Sequence, residues 1–177
     1  MKAQFNETLF FTATNLNWMP LLESNTNKNH IIDCLNFLTQ NNKCKIYAFV
    51  IMPNHIHLVL DLILSDKATF QNSFLRYTAN KCLSFFKSTN SKFLEELKST
   101  QSDRNYHFWE RNPFWPHLRT EEIMIQKIGY IHLNPVRKSY LKCKTGKDYF
   151  YSSAKSYADK IAYFDFLNLT SLDYDWN

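Results

Sequence analysis

The sequence predicts one domain of mixed α and β structure, and three observations predict it. Two adjoining runs of strand-forming residues, "KIYAFVIM" (45–52) and "HIHLVLDLIL" (55–64), meet at a Pro-Asn corner. Stretches with apolar residues three and four apart, the spacing of a helix with one buried face, lie before and after them. The chain of 177 residues is most simply a single unit with enough length to bury a proper core.

The elements follow in order. "TLFFTATNL" (8–16) is rich in β-formers and predicts a first strand. "NHIIDCLNFLTQ" (29–40) places Ile31, Ile32, Leu35 and Leu38 at helical spacing. The two runs at 45–64 predict either one strand kinked at Pro53 or two joined there. "TFQNSFLRYTANKCLSFFKS" (69–88) repeats Phe70, Phe74, Tyr77, Leu83 and Phe86, with Arg76, Lys81 and Lys87 on other faces; it predicts a long helix with a basic side. The segment 106–120 is aromatic, broken by prolines and partly extended. "EEIMIQKIGYIHL" (121–133) predicts a helix with Thr120 as N-cap and acidic residues in its first turn, ended by Pro135. A loop, a short helix and an acidic, aromatic segment (about 148–177) complete a single domain spanning 1–177.

Composition excludes several classes. Two glycines, Gly129 and Gly146, are too few for a Gly-rich phosphate loop or a dinucleotide fingerprint. Four scattered cysteines without a Cys-x-x-Cys pair argue against a zinc ribbon or a disulfide scaffold and suit a reducing compartment. The N-terminal stretch lacks a signal-peptide core, and no apolar run approaches membrane-spanning length, so a soluble, cytoplasmic protein with no membrane partner is expected. The net charge of +5 is a weak pointer to nucleic acid. It is uneven: residues 104–147 carry nine Lys or Arg against three Glu, whereas 148–177 carry two Lys against five Asp.

His55 and His57 interrupt an otherwise apolar strand. Alternate strand residues share a face, so their Cβ atoms should lie roughly 6–7 Å apart, a spacing at which two imidazoles can hold one divalent ion. A His-x-His pair alone is more often two half-buried histidines. Pro53 and Asn54 suggest a bent or edge position that keeps the pair reachable. In "GYIHLNPVRK" (129–138), Tyr130 and Asn134 share one helix face with Gln126, while Ile123, Ile128, Ile131 and Leu133 are left to make the core. His132, about 200° around the helix from Tyr130, should not share the site.

"VIMPNHIHLVL", followed by "GYIHLNPVRK" and then "YFYSSAKSY", resembles the single-tyrosine HUH transposases, in particular the REP-associated tyrosine transposases. The likeness runs over roughly residues 8–160. It implies an α+β ferredoxin-like sandwich, a central antiparallel sheet with packed helices (the HUH endonuclease fold). It also implies a metal-dependent endonuclease and strand transferase for single-stranded DNA bearing a hairpin or palindromic element. Tyr130 would be the nucleophile, His55 and His57 the ligands of Mg²⁺ or Mn²⁺, and Asn134 a third ligand or an orienting group. Arg137 and Lys138 would clamp flanking phosphates. Arg76 and Lys81 suit a hairpin stem, and Arg111 and Arg119, interleaved with Trp109, Phe114 and Trp115, suit unpaired bases. Related enzymes work as monomers or dimers, so a homodimer stays open. The chain departs from the family after Asn-Pro-Val-Arg, where Lys138-Ser139-Tyr140 replaces small residues. The competing readings are a non-cleaving hairpin-binding protein on the same fold and a metal hydrolase using activated water.

Overall fold

The computed structural model describes residues 8–99 and 105–171. Three strands form its sheet: β1 (Leu9–Thr14), β2 (Cys44–Ile51) and β3 (His55–Leu62). Their order is β1-β3-β2, with β3 antiparallel to both neighbours. The Met-Pro-Asn corner therefore joins two strands; it does not kink one. β3 is the centre of the sheet, so of the bent or edge position expected for the histidines the bend is found, at residues 52–54, and the edge is not. The pair is reached from a face of the sheet, not from its rim.

A fourth position beside β1 is filled by the segment after residue 108. His117 lies opposite Leu9, Phe114 opposite Thr12 and Trp109 opposite Asn15, all antiparallel. Pro113 and Pro116 have no N–H to donate, so this segment pairs in isolated bridges and not as a continuous ladder. Phe10 N–H donates to the Pro116 carbonyl at 2.9 Å, and Thr12 and Phe114 exchange backbone bonds at 3.0 and 3.1 Å. With that segment counted, the order is the one expected of a ferredoxin-like sheet. The far edge, along β2, is closed by residues 151–153 and 167–168, so neither edge is left bare.

Alternation along β3 sorts its side chains. Ile56, Leu58 and Leu60 face α1 (Asn25–Gln40) and α2 (Lys67–Ser88). Phe11, on the same face, packs edge-on to Phe70 and Phe74 of α2 and against Trp115. His55, His57 and Val59 face the other way, towards α4 (Glu121–Leu133). Side-chain caps set the helix starts: Ser24 accepts from Asn27 N–H, Asp66 from Thr69 N–H and Thr120 from Ile123 N–H. The Ser24 cap starts α1 four residues before the expected point, because the polar run 25–28 carries no apolar periodicity to mark it. A short helix α3 (Phe93–Glu96), not read from sequence, follows α2, and α5 (Ala154–Asp159) is the expected short C-terminal helix.

The acidic, aromatic segment is packed against the sheet where it is described. Tyr149 O–H donates to Ile51 O and Tyr157 O–H to Tyr47 O, while Phe164 and Phe166 meet Phe49. Residues 172–177 of that expectation lie outside the described residues, as does Arg104. His132 sits on the inner face of α4, 1% exposed, 2.7 Å from Ser153 Oγ, which also meets both the N–H and the carbonyl of Phe49. Gly146 lies so close to this helix that a Cβ there would run into the His132 carbonyl oxygen. No helix among the described residues is long and apolar enough to cross a membrane.

Burial pulls His132 down to about 3, His57 to about 3 and His55 to about 4. In the unfolded chain all three take up protons below about pH 6.5, while in the folded protein they stay neutral until far lower. Folding stability is therefore expected in full above pH 6.5 and lost as pH falls toward 4, by at most about 1.4 kcal/mol per pH unit for each histidine. Urea titrations in chelator check this; equal stability at about pH 7 and pH 5 would contradict it.

Candidate active site

The two histidines arrive through register. Thr14 pairs with His55, and Thr12 with His57, across the β1–β3 ladder. Their rings lie 4.8 Å apart between centroids and both residues are 5% exposed. His55 Nδ1 is 2.7 Å from Asn54 Oδ1, an atom that only accepts, so Nδ1 carries the proton and Nε2 is left with a lone pair. His57 Nδ1 is 2.8 Å from Thr12 Oγ1; with Nδ1–H donated to that hydroxyl, its Nε2 is likewise an acceptor. This is the outer-shell arrangement that orients metal-binding imidazoles.

Electrostatics keep both rings neutral. Burial first, then the Lys138 ammonium, lowers His55, and a hydrogen bond with the Asn134 side chain works in the opposite direction. Burial first, then His55 and Lys127, lowers His57. A ring neutral at physiological pH is the form that ligates. Among the described residues no group of three or more His, Cys, Asp or Glu side chains converges on one point. The donors that the described residues offer here are the two imidazoles and the neutral Asn134 amide.

Tyr130 comes from α4, across the open side of this pair. Its ring is 5.3 Å from His57 and 6.1 Å from Phe10, and the residue is 37% exposed. Phe10 stacks on His57 at 5.2 Å, so the three rings touch one another. Two cations sit over the tyrosine ring, Lys127 Nζ at 5.7 Å and Arg137 Cζ at 5.4 Å. Asn134 keeps helical dihedrals (φ −56°, ψ −47°) although Pro135 follows, so it stays on the Tyr130 face, 5% exposed and turned to His55. His132, as expected, points the other way.

The structure thus gathers His55, His57, Tyr130, Asn134, Arg137 and Lys138 around one place. It does not gather the rest. Arg76 lines a separate groove of about 710 Å³ between α2 and residues 106–113; Arg111 lines that groove and also a smaller pocket with Thr12 and Phe114. Lys81 lies over Tyr77, and Arg119 is exposed; neither lines that groove. Of the aromatics expected to stack on bases, Trp109 is buried and donates to Thr78 Oγ1, and Trp115 donates to Gln71 Oε1 inside the Phe11–Phe70 cluster; only Phe114 stands free, 62% exposed. Ile123 and Leu133 are exposed and not in the core, because α4 buries a narrower stripe than its apolar content suggests. Thr12, Phe10, Trp18 and Lys127 were missed. Only strand register could have disclosed Thr12 and Phe10, whereas Lys127 stands three residues before Tyr130 and so was legible on the helix.

Because the Tyr130 ring is more than a third exposed, Tyr130→Phe is expected to change folding stability by no more than about 0.5 kcal/mol. Thermal melts check this, and a shift of many degrees would show that the phenol is a structural strut.

Compared with models of known protein families, the chain matches none. It is 28% identical over 157 residues, covering 81% of both chains, to a Haemophilus influenzae protein described as "Putative REP-associated tyrosine transposase". Among solved structures, that of a REP-associated tyrosine transposase bound to a REP hairpin aligns over 97% of this chain and 90% of its own. The TM-score is 0.61 at 18% identity, a likeness of fold. The resemblance carried by the His-x-His and Tyr-x-x-x-Asn-Pro-Val-Arg motifs is thus borne out in sequence and in fold, and the likeness is to the REP-associated tyrosine transposases.

Proposed function

We propose that the protein is a metal-dependent endonuclease and strand transferase for single-stranded DNA that carries a hairpin, with Tyr130 as its nucleophile. The observation that carries this reading is the Tyr130 phenol, partly open to solvent and held on a separate element 5.3 Å from the ring of a buried, neutral histidine. The similar protein with a solved structure is described as bound to a REP hairpin, which supports the substrate class.

The chemistry follows from the residue types. Tyr130 Oη attacks the scissile phosphorus and gives its proton to solvent. The P–O3′ bond breaks, the 3′-oxygen takes up a proton, and a 5′-phosphotyrosine remains beside a free 3′-OH. Attack by that hydroxyl, or by one on another strand, reverses the step and reseals the backbone without an external energy source. His55 and His57, with Asn134, would hold a Mg²⁺ or Mn²⁺ ion, whose chemistry when bound is to polarise the phosphate. Lys127 and Arg137 attract the phosphate to the tyrosine and oppose its repulsion of the nucleophile. Such an enzyme works where the DNA is, so the cytoplasmic assignment belongs to the same reading.

Labelled hairpin oligonucleotides mixed with the protein and Mn²⁺ or Mg²⁺ should give a covalent protein–DNA band on a denaturing gel. Chelator, His57→Ala and Tyr130→Phe should each reduce it by about 10³-fold or more. Cleavage that persists in Tyr130→Phe would mean that water is the nucleophile and would overturn the proposal. Thr12→Val removes the hydroxyl bonded to His57 and should weaken Mn²⁺ binding about 10–100-fold by calorimetry; unchanged affinity would show that this hydroxyl does not orient a metal ligand.

A further inference from the structure

Beside the histidine pair lies a second, open pocket of about 190 Å³, lined among others by Thr12, Thr14, Trp18, Glu110, Arg111 and Phe114. Its floor is shared with the site, because Thr12 is the hydroxyl that holds His57. Its two large rings are both exposed, Trp18 and Phe114 each 62%. A single exposed ring is ordinary on a protein surface; two that line one pocket next to a buried histidine pair make a local apolar surface that a ligand can cover.

Trp18 is held there against the preference of its own backbone. Asn17 and Trp18 both have positive φ, 51° and 57°, a conformation that is an outlier for a bulky side chain. Three bonds impose it: Leu16 N–H to Phe108 O at 2.9 Å, Asn17 N–H to Glu110 Oε1 at 2.7 Å, and Trp18 N–H to Asn15 O at 3.0 Å. The result sets the indole edge-on to His55, 5.8 Å between ring centroids. A strained turn thus presents a large, flat, exposed surface beside His55, and a second exposed ring lines the same pocket together with polar groups.

We infer that Trp18 and Phe114 form an aromatic clamp for one unpaired nucleobase of the DNA strand, next to the phosphate that Tyr130 attacks. Stacking supplies affinity for any base, Arg111 stands at the pocket for the backbone phosphate, and Thr14 and Glu110 offer hydrogen-bonding groups to the base edge. The clamp rests on the single-strand substrate of the proposed function but not on its covalent chemistry.

The test is photocrosslinking. Short single-stranded oligonucleotides of randomised sequence, with 5-iodo-deoxyuridine in place of thymidine, are bound at low salt, where backbone attraction is strong, and irradiated. Crosslinks are expected in the peptides holding Trp18 or Phe114. The double variant Trp18→Ala/Phe114→Ala should lower that yield about tenfold, and Trp18→Phe should retain most of it. Crosslinks confined to other peptides would overturn the clamp. Trp18→Gly separates strain from packing: relief of the positive φ should raise Tm by about 2–4 °C while the crosslink falls. A fall in both would mark Trp18 as structural and overturn the clamp. Repeating the crosslink in Tyr130→Phe keeps the two readings apart. A Tyr130 adduct in the wild-type protein without crosslinks in the pocket sinks the clamp alone; crosslinks without any adduct sink the strand transfer alone.

Discussion

The site depends on the register of one strand. β3 is bonded on both sides, so Thr12 and Val50 both stand opposite His57 and neither ladder can slide without the other. Because side chains alternate with a period of two, a slip of one residue would turn both histidines into the Phe11–Phe70–Phe74 core and bring Ile56 and Leu58 to the α4 face. Burial of that apolar set therefore fixes where the imidazoles point. The residue bonded to His57 is a register partner on β1, and the one bonded to His55 is its chain neighbour Asn54, so the same ladder also sets the orientation of the rings.

Burial then supplies the chemistry. Rings removed from water resist protonation, and Lys127 and Lys138 nearby push the same way. Those cations serve twice, since a polyanion approaching Tyr130 meets them before it meets the histidines. The helix that carries Tyr130 is fixed from its opposite face. His132, two residues beyond Tyr130, is tied through Ser153 to the backbone of β2, so one side of α4 is pinned while the other presents a phenol. The anchored side of α4 and the side that exposes Tyr130 are two faces of one helix.

Much of this was legible in the sequence, for physical reasons that differ by element. The bounds of α4 could be read because a Thr cap, two Glu and a Pro mark its ends; the Met-Pro-Asn corner could be placed, but whether it kinks one strand or joins two was decided only by the pairing of β2 with β3. The start of α1 was hidden in a polar run, and the fourth position of the sheet in a Pro-broken one. The histidines and Tyr130 stood out as polar residues where an apolar pattern was expected. Thr12 and Phe10 did not, because a Thr or Phe in a strand is ordinary until its cross-strand partner is known. Trp109 and Trp115 illustrate the opposite error: aromatics beside arginines look like a nucleic-acid surface, and their partners, Thr78 and Gln71 on α2, lie more than thirty residues away in the chain.

The central claim is that Tyr130 forms the bond to DNA, and the most direct measurement is to find that bond. Trypsin cuts after Lys127 and Arg137, so peptide 128–137 contains Tyr130 as its one tyrosine. Protein reacted with hairpin oligonucleotide and Mn²⁺, digested with nuclease and trypsin, should yield this peptide carrying a 5′-linked nucleotide phosphate on tyrosine by mass spectrometry. The same phosphate on another tyrosine, or cleaved DNA with peptide 128–137 unmodified throughout the reaction, would contradict the account.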